Sequence, residues 1–239
     1  MIIDPHVDPH NLPLGHIITA IGALGTAAFG LLEALKPVFP WINHIGFGRI
    51  RATVAVLTPD EPNAKQPVNA LPQKNILKSL LANWVNGTDL ASQKAIAKSL
   101  IKLHLSAGNA HDLAVATNVD PQLLTQVATS IVSGTALTQP QSDAYARFDL
   151  IVTAMLDEVY QHADQVYRNW TRGLAAAIAV VLAFAGGWIL AGSWQNFWLN
   201  SEMFQALLVG LLATPLAPIA KDLSSGLAAA VNTMQLMKK

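Results

Sequence analysis

Three stretches of the chain have almost no polar positions: Leu14 to Leu35, Gly173 to Ala191 and Met203 to Ala220. A hydrocarbon core about 30 Å thick needs roughly 17–25 apolar helical residues to cross it, so the pattern predicts three transmembrane helices. The third is the shortest and is interrupted by Pro215 and Pro218. Between the first two the pattern changes. Pro37, Pro40, Gly46 and Gly48 punctuate an interfacial segment, and Arg49 to Leu57, rich in Val, Ile and Thr, predicts a strand. A strand without a partner in its own chain invites pairing with another copy or another protein; the same pattern also fits an extended surface segment or a weak hairpin. Pro59, Pro62, Pro67 and Pro72 then read as a linker.

From Gln73 onward the periodicity is helical. After Asp89, Lys94, Lys98 and Lys102 recur every fourth residue, with Ile96, Leu100 and Leu103 expected on the opposite face. Residues 111 to 131 have the packing positions of a helix-turn-helix: Ala114, Asn118, Val119, Leu124 and Val127, with Asp120 and Pro121 at the start of the second helix. That second helix, 121 to 132, has no Lys or Arg to neutralise phosphate, which favours a helical hairpin that only packs. After Pro140, Phe148, Val152, Met155, Val159, His162 and Val166 form a 3-4 stripe running into the second apolar stretch without a proline. One helix from Ser142 to Ala191 is therefore expected, joining domain and membrane rigidly.

The predicted fold class is an all-α integral membrane protein with three transmembrane helices and a mainly helical cytoplasmic domain between the first and second. Its segments are an external tail (1–13), the first span (14–35), an interfacial segment with strand and Pro-rich linker (36–72) and the cytoplasmic domain (73–172). The second span (173–191), a short external loop (192–202), the third span (203–220) and a cytoplasmic C-terminal helix (221–239) complete it.

Composition supports this reading: 52% hydrophobic against 13% charged residues is too apolar for an ordinary soluble chain. Zero net charge excludes a globally basic nucleic-acid binder, and the absence of cysteine excludes disulfides, thiolate metal sites and thiol catalysis. Of fifteen Lys and Arg, twelve lie between Lys36 and Arg172, and the other three are Lys221, Lys238 and Lys239. Cations near span ends are retained on the cytoplasmic side, so the N-terminus is expected outside and the C-terminus inside. Trp41, Tyr167, Trp170, Trp194 and Trp198 suit the headgroup layers.

Charge is also segregated within the domain. Residues 62 to 111 hold six Lys and one Asp, and residues 112 to 164 hold one Arg and seven acids. Either the two halves neutralise each other on packing, or Lys94, Lys98 and Lys102 offer a basic patch to anionic lipid or a partner. Within the spans, small residues recur every fourth position: Gly22, Thr26, Gly30 and Ala34 in the first, and Ala175, Ala179, Ala183, Gly187 and Ala191 in the second. Such ridges let helix backbones approach closely and predict helix packing and self-association.

Candidates for chemistry are few. Asp4, His6, Asp8 and His10, in a D-P-H-V-D-P-H tandem, have ligand types that suit zinc or copper, but a free terminal segment also reads as an interfacial turn. Glu33 is expected to pair with Lys36 as a snorkelling ion pair. No nucleotide loop, nucleophile elbow or metalloprotease motif occurs, so no enzyme activity, metal or cofactor is expected.

The run from Phe148-Asp149 through Tyr167-Arg168-Asn169-Trp170-Thr171-Arg172 into the second span resembles a group of bacterial membrane proteins without an assigned activity. In that group a charged helix enters the bilayer through an aromatic, Arg-rich junction. Pro215 to Asp222, P-L-A-P-I-A-K-D, before an Ala-rich helix, is similar. The resemblance implies a bacterial inner-membrane location and supplies no activity. The expected function is a membrane-anchored scaffold or docking subunit that self-associates through its spans and presents its cytoplasmic domain to a larger protein assembly. A transport, channel or signalling component is the alternative.

Overall fold

The computed structural model describes residues 14–59, 71–199 and 201–217. The D-P-H tandem and the stretch from Pro218 onward lie outside them. Every regular element among the described residues is helical: α1 (Leu14–Leu35), a 3-10 turn (Pro40–His44), α2 (Phe47–Leu57), α3 (Gln73–Val85), α4 (Leu90–His104), α5 (Ala110–Thr117), α6 (Pro121–Ser133), α7 (Gln139–Ala191), α8 (Trp194–Leu199) and α9 (Glu202–Ala217). Two of them, α1 and the 53-residue α7, are long and apolar enough to cross a membrane, while α9 is a shorter apolar helix. The chain divides into two compact units, Pro40–Arg168 and Met1–Phe39 with Asn169–Lys239, so α7 contributes to both.

In the unit Pro40–Arg168, helices α2 to α6 and the first part of α7 enclose one apolar core. Here the predicted strand is overturned: Arg49 to Leu57 belongs to α2, and the unpaired strand edge does not exist. Phe47, Ile50, Val54 and Leu57 are buried at 3-4-3 spacing, and burying that stripe outweighs the β-propensity of its Val, Ile and Thr residues. The domain thus begins near Pro40, upstream of the expected boundary at Gln73.

The turn into α2 depends on Gly46, whose φ of 87° is left-handed and whose Cβ position would fall 2.4 Å from the Ala163 carbonyl oxygen of α7. Trp84 of α3 closes this corner, its ring centroid 6.5 Å from Phe47 and 6.0 Å from Tyr167. Asp89 caps α4 by accepting from the Ser92 N–H, and Asp120 caps α6 by accepting from the Gln122 and Leu123 N–H groups. Between α5 and α6, Asn118 takes the left-handed conformation, giving the packed helical hairpin.

The buried faces differ in detail from the periodic reading. On α4 the inward stripe is Gln93, Ala97 and Ile101; Ile96 and Leu100 are partly buried and Leu103 is 70% exposed. On α7 the stripe shifts from Phe148 and Val152 to Leu156, Val159, Tyr160 and Ala163, leaving His162 and Val166 only partly buried.

In the second unit, α1, the C-terminal part of α7, α8 and α9 pack together. Ala28, Ala179 and Ala213 meet at one level, flanked by Ile21, Leu24, Ile178 and Leu182. Ala183, Phe197 and Ala206 meet at the next, flanked by Leu24, Ala191, Met203 and Val209. Residue numbers fall from the first level to the second on α1 and α9 and rise on α7. Helices α1 and α9 are therefore parallel, and α7 is antiparallel to both.

Candidate functional site

Two places bring predicted residues together: the small-residue junction of α1, α7 and α9, and the charged seam between α4 and α7.

At the junction the α7 ridge faces inward, with Ala175, Ala179 and Ala183 buried and Gly187 and Ala191 half-buried. It is filled from within the chain. A Cβ on Gly187 would lie 2.9 Å from the Phe197 ring and 3.4 Å from Ala206 Cβ. On α1 only Gly22 of the expected ridge is buried, whereas Thr26, Gly30 and Ala34 are exposed and none of the described residues lies within 4 Å of a Cβ built on Gly30. The inward face is instead Gly22, Gly25, Ala28 and Leu32. An every-fourth-residue ridge turns about 40° per step at 3.6 residues per turn, so over three steps it leaves a neighbour that a mixed 3-4 spacing follows.

A third stripe of small residues, not among the expected ridges, is buried on α9 within the predicted third span: Ala206, Gly210, Ala213 and Ala217. The same 3-4 spacing of small residues would have revealed it. A Cβ on Gly25 would sit 2.0 Å from the Ala213 carbonyl oxygen, and one on Gly210 would sit 2.5 Å from Val180 Cα. The α1 and α9 backbones approach as closely as missing side chains allow, and so do those of α7 and α9. Glu33 and Lys36 form the expected ion pair on α1 and the turn after it. Around Phe197, Trp194 contacts Trp188 and Trp198 at centroid distances of 5.2 and 5.4 Å, giving an aromatic cluster on and beside α8.

At the charged seam the lysine ladder of α4 lies along the acids of α7. Lys94 donates to Asp157; Lys98 and Lys102 donate to the two oxygens of Asp149 at 2.7 and 2.9 Å. The neutralising arrangement is the one found, and its order, 94 with 157 and 102 with 149, makes the two helices antiparallel. Lys102 also lies 5.0 Å from the Tyr145 ring centroid, a cation–π contact.

Partial burial acts to raise the Asp149 carboxyl pKa, but the hydrogen bonds and charges of Lys98 and Lys102 outweigh it and hold the group below its ordinary value. The bond to Asp149 raises Lys102, against burial and with help from Tyr145. A depressed carboxylate stabilises the fold above its unfolded pKa and loses that contribution as pH falls through the folded value. A raised lysine loses its contribution only as pH rises through its own folded value. The seam should therefore hold between about pH 4 and about pH 10. Asp149→Asn should cost about 1 kcal/mol near neutrality, and that difference from wild type should begin to shrink as pH falls below about 4 and vanish only once pH is below the depressed value of the folded carboxyl. A difference that persists at low pH would mean that the carboxylate charge is not its source.

The Tyr160 hydroxyl is buried without a hydrogen-bond partner among the described residues, and burial pushes its pKa up. The Thr214 hydroxyl beside Pro215 is likewise without a partner there, so it does not satisfy a carbonyl freed by the proline. A shallow dip over His111, Pro121, Gln122, Thr125 and Gln126 marks the α5–α6 hairpin. Among the described residues no three His, Asp or Glu side chains gather as a metal site. Comparison with protein-family models, curated proteins and solved structures finds no match to this chain.

Proposed function

We propose that this chain is a membrane-anchored scaffold or docking subunit of a bacterial inner membrane. In this reading α1, the second part of α7 and α9 cross the bilayer, with the N-terminus outside and the C-terminus inside. The helical unit Pro40–Arg168 is offered to a larger assembly on the cytoplasmic side. The observation that carries the reading is the inverted distribution of side-chain size around the α1–α7–α9 junction. Gly and Ala predominate in its interior, beside the larger Leu32 and Phe197, while Leu31, Val181, Ile189, Leu190, Phe204, Leu208, Leu211 and Leu212 face outward, Ile189 and Leu190 being 77% and 88% exposed. Water penalises such a surface at about 25 cal/mol per Å² of apolar area, and lipid does not. The one-sided distribution of Lys and Arg supports the orientation. Because the α7 ridge is filled internally, self-association falls to the Thr26, Gly30 and Ala34 face of α1, which none of the other described residues covers.

The chain contains no cysteine, so a single introduced thiol is a unique probe. In intact cells Gln195→Cys should react with an impermeant thiol reagent, whereas Val115→Cys, exposed on α5, should react only after permeabilisation. Reaction of Val115→Cys in intact cells would overturn the orientation.

A further inference from the structure

Helix α2 buries Phe47, Ile50, Val54 and Leu57, and its opposite face has no partner among the described residues. At 100° per residue, Gly48, Ala52 and Val56 form a narrow outward strip, with Ala55 beside it and Arg49 and Arg51 on its two flanks. All three strip residues are exposed, Val56 by 56%. Neither arginine has an ion pair among the described residues, in contrast to Lys94, Lys98 and Lys102. No Asp or Glu occurs between Glu33 and Asp60. Trp41, in the turn leading to α2, exposes half its surface.

We propose that this face of α2 seats on an anionic phospholipid surface, with the Gly48–Ala52–Val56 strip at the acyl boundary and the Arg49 and Arg51 guanidiniums on headgroup phosphates. The proposal rests on the membrane reading above. An apolar strip flanked on both sides by cations matches the water–lipid boundary, where the strip leaves water and the long arginine stems reach back to the phosphates. A second copy fits poorly, because two-fold pairing through this face would bring four arginines together with no acid on either α2. Nucleic acid fits poorly too, because Gly, Ala and Val offer neither a stacking ring nor a hydrogen bond to a base. The chain also leads here directly from α1, which is long and apolar enough to cross a membrane.

The test uses the full chain carrying one nitroxide label and reconstituted into vesicles of phosphatidylcholine, with or without phosphatidylglycerol. A label at Ala52→Cys should gain oxygen access and lose access to a water-soluble nickel complex in the anionic vesicles, and high salt should weaken the effect. Arg49→Gln with Arg51→Gln should lower the ratio of seated to unseated protein about 25-fold, at about fivefold per arginine near the surface. A label at Val181→Cys reports the span itself, and one at Val115→Cys serves as the aqueous reference. If the Val181 label is in lipid while the Ala52 label stays as nickel-accessible as the Val115 label, the seat is wrong and the membrane reading stands. A water-accessible Val181 label would sink both. An Ala52 label shielded in a way that is lost on protein dilution would show that protein covers this face, and would overturn the lipid seat.

Discussion

Replacing Gly25 by Ala should destabilise the α1–α7–α9 junction by about 3 kcal/mol, because the new methyl would stand 2.0 Å from the Ala213 carbonyl oxygen. A helix carbonyl cannot rotate away from a methyl as a side chain can, so α1 and α9 must separate, and contacts along both helices weaken together. Gly210→Ala should behave similarly, since its methyl would meet Val180 Cα at 2.5 Å. Gly187→Ala should cost less, because the nearest atom belongs to the Phe197 ring. Gly30→Ala, with none of the described residues within 4 Å, should leave stability unchanged or slightly improved. Thermal unfolding of the four full-length variants in one mild detergent gives the order, and a Gly25→Ala midpoint equal to that of Gly30→Ala would contradict the packing. Gly30→Leu adds a second readout: smaller particles at unchanged stability would locate self-association on the open face of α1.

The Gly46→Ala variant should lose about 3 kcal/mol from the unit Pro40–Arg168, on the order of 10 °C in its unfolding midpoint. Two costs combine there. A φ of 87° is unfavourable for any residue with a side chain, and the added methyl would fall 2.4 Å from the Ala163 carbonyl oxygen and 3.2 Å from the Trp84 ring. Gly48→Ala, two residues on, should have the opposite sign. It lies in the exposed face of α2 with none of the described residues within 4 Å, so a better helix former should stabilise by about 0.5–1 kcal/mol. Temperature-dependent proteolysis of the full chain follows both, and equal midpoints would argue against the close approach of α7 to the turn at Gly46.

An inward glycine is told from an outward one by spacing and not by composition. Gly25 and Gly30 lie on one helix in similar apolar surroundings, and composition does not separate them. The spacing of Gly22, Gly25, Ala28 and Leu32 follows one face, whereas Gly22, Thr26, Gly30 and Ala34 spiral away from it. On α7 the every-fourth ridge still stays covered, because Ala179 meets α1 and α9 while Gly187 meets Phe197 and Ala206 further along. A ridge that turns can stay buried only if a second neighbour takes over from the first, and that depends on the path of the whole chain.

Elements governed by local chemistry are legible in the residues alone. The range Leu14–Leu35 of α1 is legible in its unbroken apolar run, as is the continuity of α7 in the absence of a breaker after Pro140. The α5–α6 hairpin is legible in Asn118, Asp120 and Pro121, whose turn and cap geometry needs no distant partner. Helix α2 was not legible, because Val, Ile and Thr favour a strand until a core exists that rewards a 3-4-3 stripe. The roles of the cations were undecided for the same reason. Lys94, Lys98 and Lys102 look like a free basic face until Asp149 and Asp157, far along the chain, are folded against them. Arg49 and Arg51 attract no notice until α2 turns its apolar stripe inward and leaves them outside. Hydropathy, caps and breakers act within a few residues, whereas which face is covered and which charge is paired depend on contacts that only tertiary packing creates.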